Sequence, residues 1–222
     1  GGNAAVFCLV YDASELRFIL KNIEDISYEI IGAGSNILIR DKGFNGIIFK
    51  LGKKFNDINL NNTSIEVGAG LLDINLSKFA ELNEIKNFEF YSGIPGSIGG
   101  SIYMNAGSFG NEISDKLISV NYLDENLKIK IIERKNIYFD WRYSIFQDKL
   151  NQSIILSAKF KLDLGDAKNI QKHKLNAQRI RSITQEKAGN NYGSVFATKW
   201  IYNESNNKNY IYKIFKKFLN LL

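Results

Sequence analysis

The apolar positions of the chain fall into short runs punctuated by turn residues. From Tyr28 to Gly70 it reads through "YEIIGAGSN", "ILIRDKGFNG", "IIFKLG" and "SIEVGAG", Ile-rich stretches bounded by Gly, Asn and Asp. Such runs predict strands separated by turns, one at 28–31 and another opened by "ILIRD". After Gly70 the period changes. Leu72, Leu76, Phe79, Ala80 and Leu82 in "LLDINLSKFAELNE" fall near helical spacing and predict a helix laid over the sheet. The strand rhythm returns in "LISVNYLDENLKIKIIE", a hairpin turning at Asp124-Glu125-Asn126, and in "SIILSAKFKL". From Asp166, "DAKNIQKHKLNAQRIRSIT" predicts a helix with an acidic N-cap and Ile170, Ala177 and Ile180 on one face. His173 falls near that face, as a packed or half-exposed residue and not a catalytic one. "IYKIFKKFLNLL" puts Ile211, Ile214, Phe215, Phe218 and Leu222 on one side, a helix expected to pack on protein.

Composition narrows the class. The chain has 222 residues, 45% of them hydrophobic, enough for a substantial core. No apolar stretch approaches the roughly 18 residues of a membrane span, and "GGNAAVFCLVYDASEL" lacks the basic and apolar regions of a signal peptide. A soluble, cytoplasmic monomer without membrane contact is expected. A single cysteine, Cys8, excludes an internal disulfide, and a single histidine, His173, leaves no Cys/His zinc cluster, so no metal is expected. The net charge of +6 is spread along an Ile-, Asn- and Lys-rich chain, which fits codon bias better than a nucleic-acid surface.

Two glycine-rich loops carry candidate chemistry. "GAGSN", Gly32 to Asn36, follows the predicted strand 28–31 and frees backbone N–H groups for phosphate oxygens. The dinucleotide fingerprint fails, because Ile37 stands where the third glycine belongs and no helix signal follows. On its own this loop reads equally well as a plain tight turn. The second is longer: "SGIPGSIGG" and "SIYMNAGSFG" place glycines at 93, 96, 99, 100, 107 and 110, with Pro95 stiffening the turn and Ser97, Ser101 and Asn105 adding hydrogen-bonding groups. It reads as a loop wrapping an extended diphosphate cofactor, or as glycines letting two elements pack closely. Further on, Arg142 lies between Trp141 and Tyr143, either a stacked surface residue or a bidentate carboxylate grip. Ser194 follows Gly193, where it also reads as a plain helix or turn cap, and with one histidine in the chain a Ser-His-Asp nucleophile is not expected.

In this order, "GGNA", "GAGSNILIRDKGFNGIIFKL", "VGAG", "GIPGSIGGSIYMNAGSFG", "WRYSIFQ" and "RSITQEKAGNNYGSVF" resemble the UDP-N-acetylenolpyruvoylglucosamine reductase family of flavoenzymes. The resemblance implies an α+β FAD-binding fold of the vanillyl-alcohol-oxidase/p-cresol-methylhydroxylase type. It implies FAD as cofactor and NADPH as reducing co-substrate, acting on a UDP-linked enolpyruvyl sugar in peptidoglycan precursor synthesis. By that resemblance Gly32, Ala33, Gly34, Ser35, Asn36 and Ile37, with Gly93, Ile94, Pro95, Gly96, Ser97, Gly99 and Gly100, lie near the pyrophosphate. Asn105, Ala106 and Gly107 lie nearer the flavin. Arg142 matches the cation beside the substrate carboxylate, and Ser194 the proton donor. Another FAD-linked oxidoreductase of this fold and a non-catalytic flavin-binding remnant are the alternatives.

The resemblance implies an FAD-binding domain over 1–185, made of two α+β subdomains meeting near 65–70, and a partial, incomplete substrate-binding domain over 186–222. The match thins after Phe196. The family's C-terminal glutamate has no counterpart among the 26 residues that follow, and Glu204, in an Asn-rich stretch, is not assigned its role.

Overall fold

Two sheets divide the chain in the computed structural model. The structure describes residues 1–184 apart from Glu24 and Phe109. The first sheet is parallel, in the order β1-β3-β2: β1 is Ala4–Val10, β2 Tyr28–Ile31 and β3 Phe44–Leu51. Helix α1, Ala13–Asn22, follows β1. Its N-cap Asp12 accepts hydrogen bonds from the N–H groups of Ser14 and Glu15, and Glu15 reaches back to accept from the N–H of Tyr11, the residue before the cap. Phe49 of the central strand is fully buried, with Tyr28 set edge-on at 5.8 Å.

The second sheet has five antiparallel strands in the order β4-β5-β12-β8-β9, and its first strand begins seven residues after β3 ends at Leu51. Here β4 is Ile58–Leu60, β5 Ser64–Gly68, β8 Leu117–Leu123, β9 Ile129–Glu133 and β12 Ile154–Lys161. The hairpin expected at Asp124 is β8–β9, and Asp124 closes its turn by accepting from the N–H groups of Asn126 and Lys128. Two short hairpins are inserted, β6 (Gly107–Ser108) with β7 (Asn111–Glu112), and β10 (Phe139–Asp140) with β11 (Tyr143–Ser144). Helices α2 (Asp73–Leu82), α3 (Ile98–Tyr103) and α4 (Ala167–Thr184) complete the described fold. Among the described residues no helix is long and apolar enough to cross a membrane.

Several sequence expectations change. "ILIRD" is not a strand: Ile37–Ile39 lie in the twelve-residue connection between β2 and β3. Those strands are parallel neighbours, so the chain must travel back their whole length before pairing again, and the connection has no sheet partner. The second glycine run is not all loop, since α3 occupies its centre. On α2, Leu76 and Ala80 face the core as expected, whereas Leu72 and Leu82 are exposed. The buried stripe is Asp73, Leu76, Ser77 and Ala80, two of them polar. On α4, Asp166 caps the helix through the N–H of Asn169 and Ile170 is buried, while His173 is exposed. The side chain of Ile180 and the stretch 211–222 lie outside the described residues.

Asp73 opens α2 at the point where the second glycine run crosses it. Its N–H donates to the Gly96 carbonyl at 3.1 Å, and its Oδ2 accepts from Ser101 Oγ at 2.7 Å. The side chain is fully buried, and Oδ1 finds no partner among the described residues. Desolvation pushes its pKa from 3.8 up to about 7, against the pull of the Ser101 hydrogen bond. Tyr91, the other buried titratable group close by, is held protonated by its own burial. A carboxyl whose pKa is raised on folding binds its proton more tightly when folded, so stability falls as pH rises from about 4 to about 7. Asp73→Asn keeps an acceptor for Ser101 and removes this loss, on the order of 4 kcal/mol at pH 8 relative to pH 4. Urea unfolding of both proteins between pH 4 and 8 checks it. Parallel stability profiles would refute the assignment.

Candidate functional site

The two glycine loops meet. A Cβ on Gly32 would fall 2.5 Å from Ser97 Oγ, so the first loop passes directly against the start of α3. From Ala33 to Ile37 the loop is exposed, and none of its N–H groups is used by a main-chain carbonyl of the described residues. Gly34 turns it with φ +75°, a left-handed conformation that side chains disfavour. Lys50, on β3, donates its ammonium hydrogen to the Gly32 carbonyl, which fixes a positive charge at the loop. Free N–H groups and a cation at a glycine turn make an anion cradle. Sequence reading missed Lys50, because its partner lies eighteen residues away.

The second run is partly structural. Its main chain is tied to the segment leading into α2: Ile98 N–H donates to the Leu71 carbonyl and Gly99 N–H to the Ala69 carbonyl, both at 2.9 Å. A side chain on Gly99 would press on Ala69, so close packing explains that glycine. Gly93 ends a short 3₁₀ turn at 89–93, Ile94 packs on the core, and Pro95 is exposed. Ser97 is buried and Gly100 exposed at the cradle side of α3. The close-packing reading thus holds at Gly99.

Asn105, Ala106 and Gly107 come directly against Arg142. The guanidinium donates from Nη1 to the Asn105 carbonyl at 3.2 Å and from Nη2 to the Gly107 carbonyl at 2.9 Å. It also lies over the Trp141 ring at 4.4 Å. Arg142 occupies the two-residue turn between β10 and β11 with φ +54°, an uncommon conformation for a long side chain. Three hydrogen bonds pin that turn. Ser144 Oγ and Gln147 Nε2 donate to the Tyr103 carbonyl, at 2.8 and 2.6 Å, and Gln147 also donates to the Arg142 carbonyl. Arg142 is stacked on Trp141 as one reading expected, but it is half-buried and clamped to carbonyls, with Nε–H and the remaining Nη hydrogens not engaged by those two contacts. Asn105 is itself 1% exposed with φ +43°, and its Oδ1 has no partner among the described residues. Ser194 lies outside the described residues.

These features suit a long, anionic, partly planar cofactor. The cradle offers N–H donors and Lys50 to a diphosphate. Buried Oδ1 of Asn105 needs a donor, and Ile37, Leu38 and Ile39 expose 51, 89 and 48% of their surface as apolar cover.

Comparison with known proteins points the same way. Residues 4–131 match the family model described as FAD binding domain. The curated UDP-N-acetylenolpyruvoylglucosamine reductase of Rickettsia conorii is 37% identical over 198 residues, covering 89% of this chain and 66% of that protein. The protein of the same name from Rickettsia typhi is 38% identical over 199 residues, covering 88% and 66%. The chain thus spans just under two thirds of the length of the curated relatives it matches. Among solved structures, the UDP-N-acetylenolpyruvylglucosamine reductase of Thermus caldophilus aligns with TM-score 0.72 at 24% identity, over 82% of this chain and 64% of that one. A Cu,Mo-containing CO dehydrogenase aligns at 0.53 with 12% identity, over 73% and 61%. At these identities the likeness is one of fold, the vanillyl-alcohol-oxidase type of α+β FAD-binding architecture. With more than half of its residues matched by that model, the chain belongs to the FAD-binding domain family, and its curated relatives are UDP-N-acetylenolpyruvoylglucosamine reductases.

Proposed function

We propose that the protein is a flavoenzyme that reduces UDP-N-acetylglucosamine enolpyruvate to UDP-N-acetylmuramate at the expense of NADPH, in the cytoplasmic synthesis of peptidoglycan precursors. Residues 1–185 form its FAD-binding domain, and 186–222 belong to a substrate-binding domain. The observation that carries the reading is the clamp on Arg142, a half-buried cation fixed by two carbonyls of the second glycine run. Bound FAD supplies a hydride, taken from NADPH and given to the methylene carbon of the enolpyruvyl group.

The chain's own residues do the rest. Ala33 to Ile37 and Lys50 hold the diphosphate, with Gly93 to Gly100 shaping the other wall. Hydride addition leaves negative charge on the carbon next to the carboxylate, and Arg142 meets that carboxylate with its unspent N–H groups. Its fork is already oriented, so little reorganisation is required as charge develops. Ser194 then delivers a proton to the carbanion-like carbon. A hydroxyl is a weak acid, and such a strongly basic acceptor makes the transfer favourable when the geometry is fixed.

The test separates the two half-reactions. The purified, FAD-loaded protein is reduced anaerobically, the UDP-linked enolpyruvyl sugar is added, and the visible flavin spectrum is followed. Prompt reoxidation is expected. Flavin that stays reduced would refute the substrate, and a protein that takes up no FAD would refute the whole reading. Ser194→Ala is expected to leave reduction by NADPH intact and to cripple reoxidation by the sugar. Arg142→Lys loses the planar fork and is expected to slow reoxidation by about 10²–10³-fold, again without slowing reduction.

A further inference from the structure

The Asn105 amide is more constrained than binding alone requires. Its Nδ2 donates to Glu112 Oε2 at 2.7 Å and to the Asp140 carbonyl at 3.0 Å. Both partners are acceptors only, so chemistry settles which end of the amide is which. A flipped amide would set its oxygen against a carboxylate and a carbonyl. Oδ1 is therefore forced to the opposite side, buried and without a partner among the described residues. An unpaired buried acceptor is costly, and its place in a cofactor-binding run calls for a donor on the ligand.

Glu112 is in turn held. It pairs with Gly107 across the β6–β7 hairpin, and it shares a capping box with Asp115: its N–H donates to Asp115 Oδ2 at 2.8 Å, and its own carboxylate accepts from the Asp115 N–H. The chain of contacts runs from Asp115 through Glu112 to Asn105, whose carbonyl receives Arg142.

We propose that Glu112 is a positioning residue, which fixes the Asn105 side chain with its oxygen toward the cofactor, where that oxygen accepts the ring N–H of oxidised flavin. The isoalloxazine ring in that state carries its hydrogen-bond donor at N3, which makes N3–H the partner a buried amide oxygen selects. The inference rests on FAD being the cofactor.

The experiment compares FAD with 3-methyl-FAD, which lacks that donor, by quenching of flavin fluorescence on titration into apo-protein. The wild type is expected to bind 3-methyl-FAD about tenfold more weakly. Asn105→Gly, which tolerates φ +43° and removes the amide, is expected to bind the two flavins alike. Glu112→Ala frees the amide to turn and is expected to lose most of the discrimination. Glu112→Gln keeps an acceptor for Asn105 and is expected to restore it. Asp115→Ala removes the acceptor of the Glu112 N–H, one half of the capping box, without touching Asn105, and is expected to discriminate like the wild type.

Equal binding of the two flavins by the wild type would overturn the proposal while leaving the FAD reading intact. So would loss of discrimination in Asp115→Ala equal to that in Glu112→Ala, which would make Glu112 a cap and nothing more. Should Glu112→Ala fail to fold, Glu112→Gln, Asp115→Ala and Asn105→Gly still decide the matter. A wild type that binds neither flavin overturns the FAD reading and this proposal together.

Discussion

The main-chain seam between 69–73 and 96–99 is the constraint on which the candidate site depends. Ala69, Leu71 and Asp73 exchange hydrogen bonds with Gly96, Ile98 and Gly99, joining the exit of β5 and the start of α2 to the start of α3. With that seam closed, Ser97 lies beside Gly32, and the chain leaving α3 brings Tyr103, Asn105 and Gly107 to the hairpin that bears Arg142. The seam requires main chain to touch main chain, and that is possible only where glycine leaves room. Glycine is disfavoured in a helix by about 1 kcal/mol relative to alanine, and α3 carries two in a row. Packing against Ala69 on one side and an open approach at Gly100 on the other account for keeping them.

The seam also explains a buried carboxyl that is otherwise hard to justify. Asp73 occupies the first turn of α2, where the helix dipole favours negative charge, yet it is shut away from water. Burial dominates and the group resists ionisation. In its neutral form, favoured below about pH 7, it accepts from Ser101 without burying a charge. Hydrophobic burial alone would close the seam as tightly but leave its register free. The hydrogen bonds to Gly96 and Ser101 fix it.

Much of this was legible in the sequence where the local signal and the tertiary demand agree. β5, the β8–β9 hairpin and β12 are short Ile-rich runs ended by Gly or Asp, and they form as expected. α2 and α4 follow from their spacing, and the Asp166 cap from its residue type. The failures have physical causes. Ile37–Ile39 have strand propensity but fall in a parallel crossover, and topology overrides propensity. β1 and α1 drew no expectation, although Asp12 is an N-cap residue type that marks the start of α1. α3 was hidden because two glycines speak against a helix. Lys50 and Glu112 were invisible for a different reason. Their roles consist of contacts with Gly32 and Asn105, and no periodicity or spacing encodes those.

Asn105 and Arg142 show how the site sustains strain. Both adopt left-handed backbone conformations, which Asn tolerates and Arg does not favour, and such residues persist only when their surroundings over-determine them. Here they restrain each other. The Arg142 guanidinium holds the Asn105 carbonyl, the Asn105 amide holds the Asp140 carbonyl two residues before Arg142, and Gln147 holds the Arg142 carbonyl. Each strained residue is thus fixed through the main chain of the other's neighbourhood. The loop closes without a side-chain ion pair among the described residues, and these contacts leave part of the guanidinium unspent. A cation already neutralised by a carboxylate would have little left for a substrate. One anchored on carbonyl dipoles keeps its full charge, and under the proposed function that difference would suit Arg142 to stabilising an anion that exists only during the reaction.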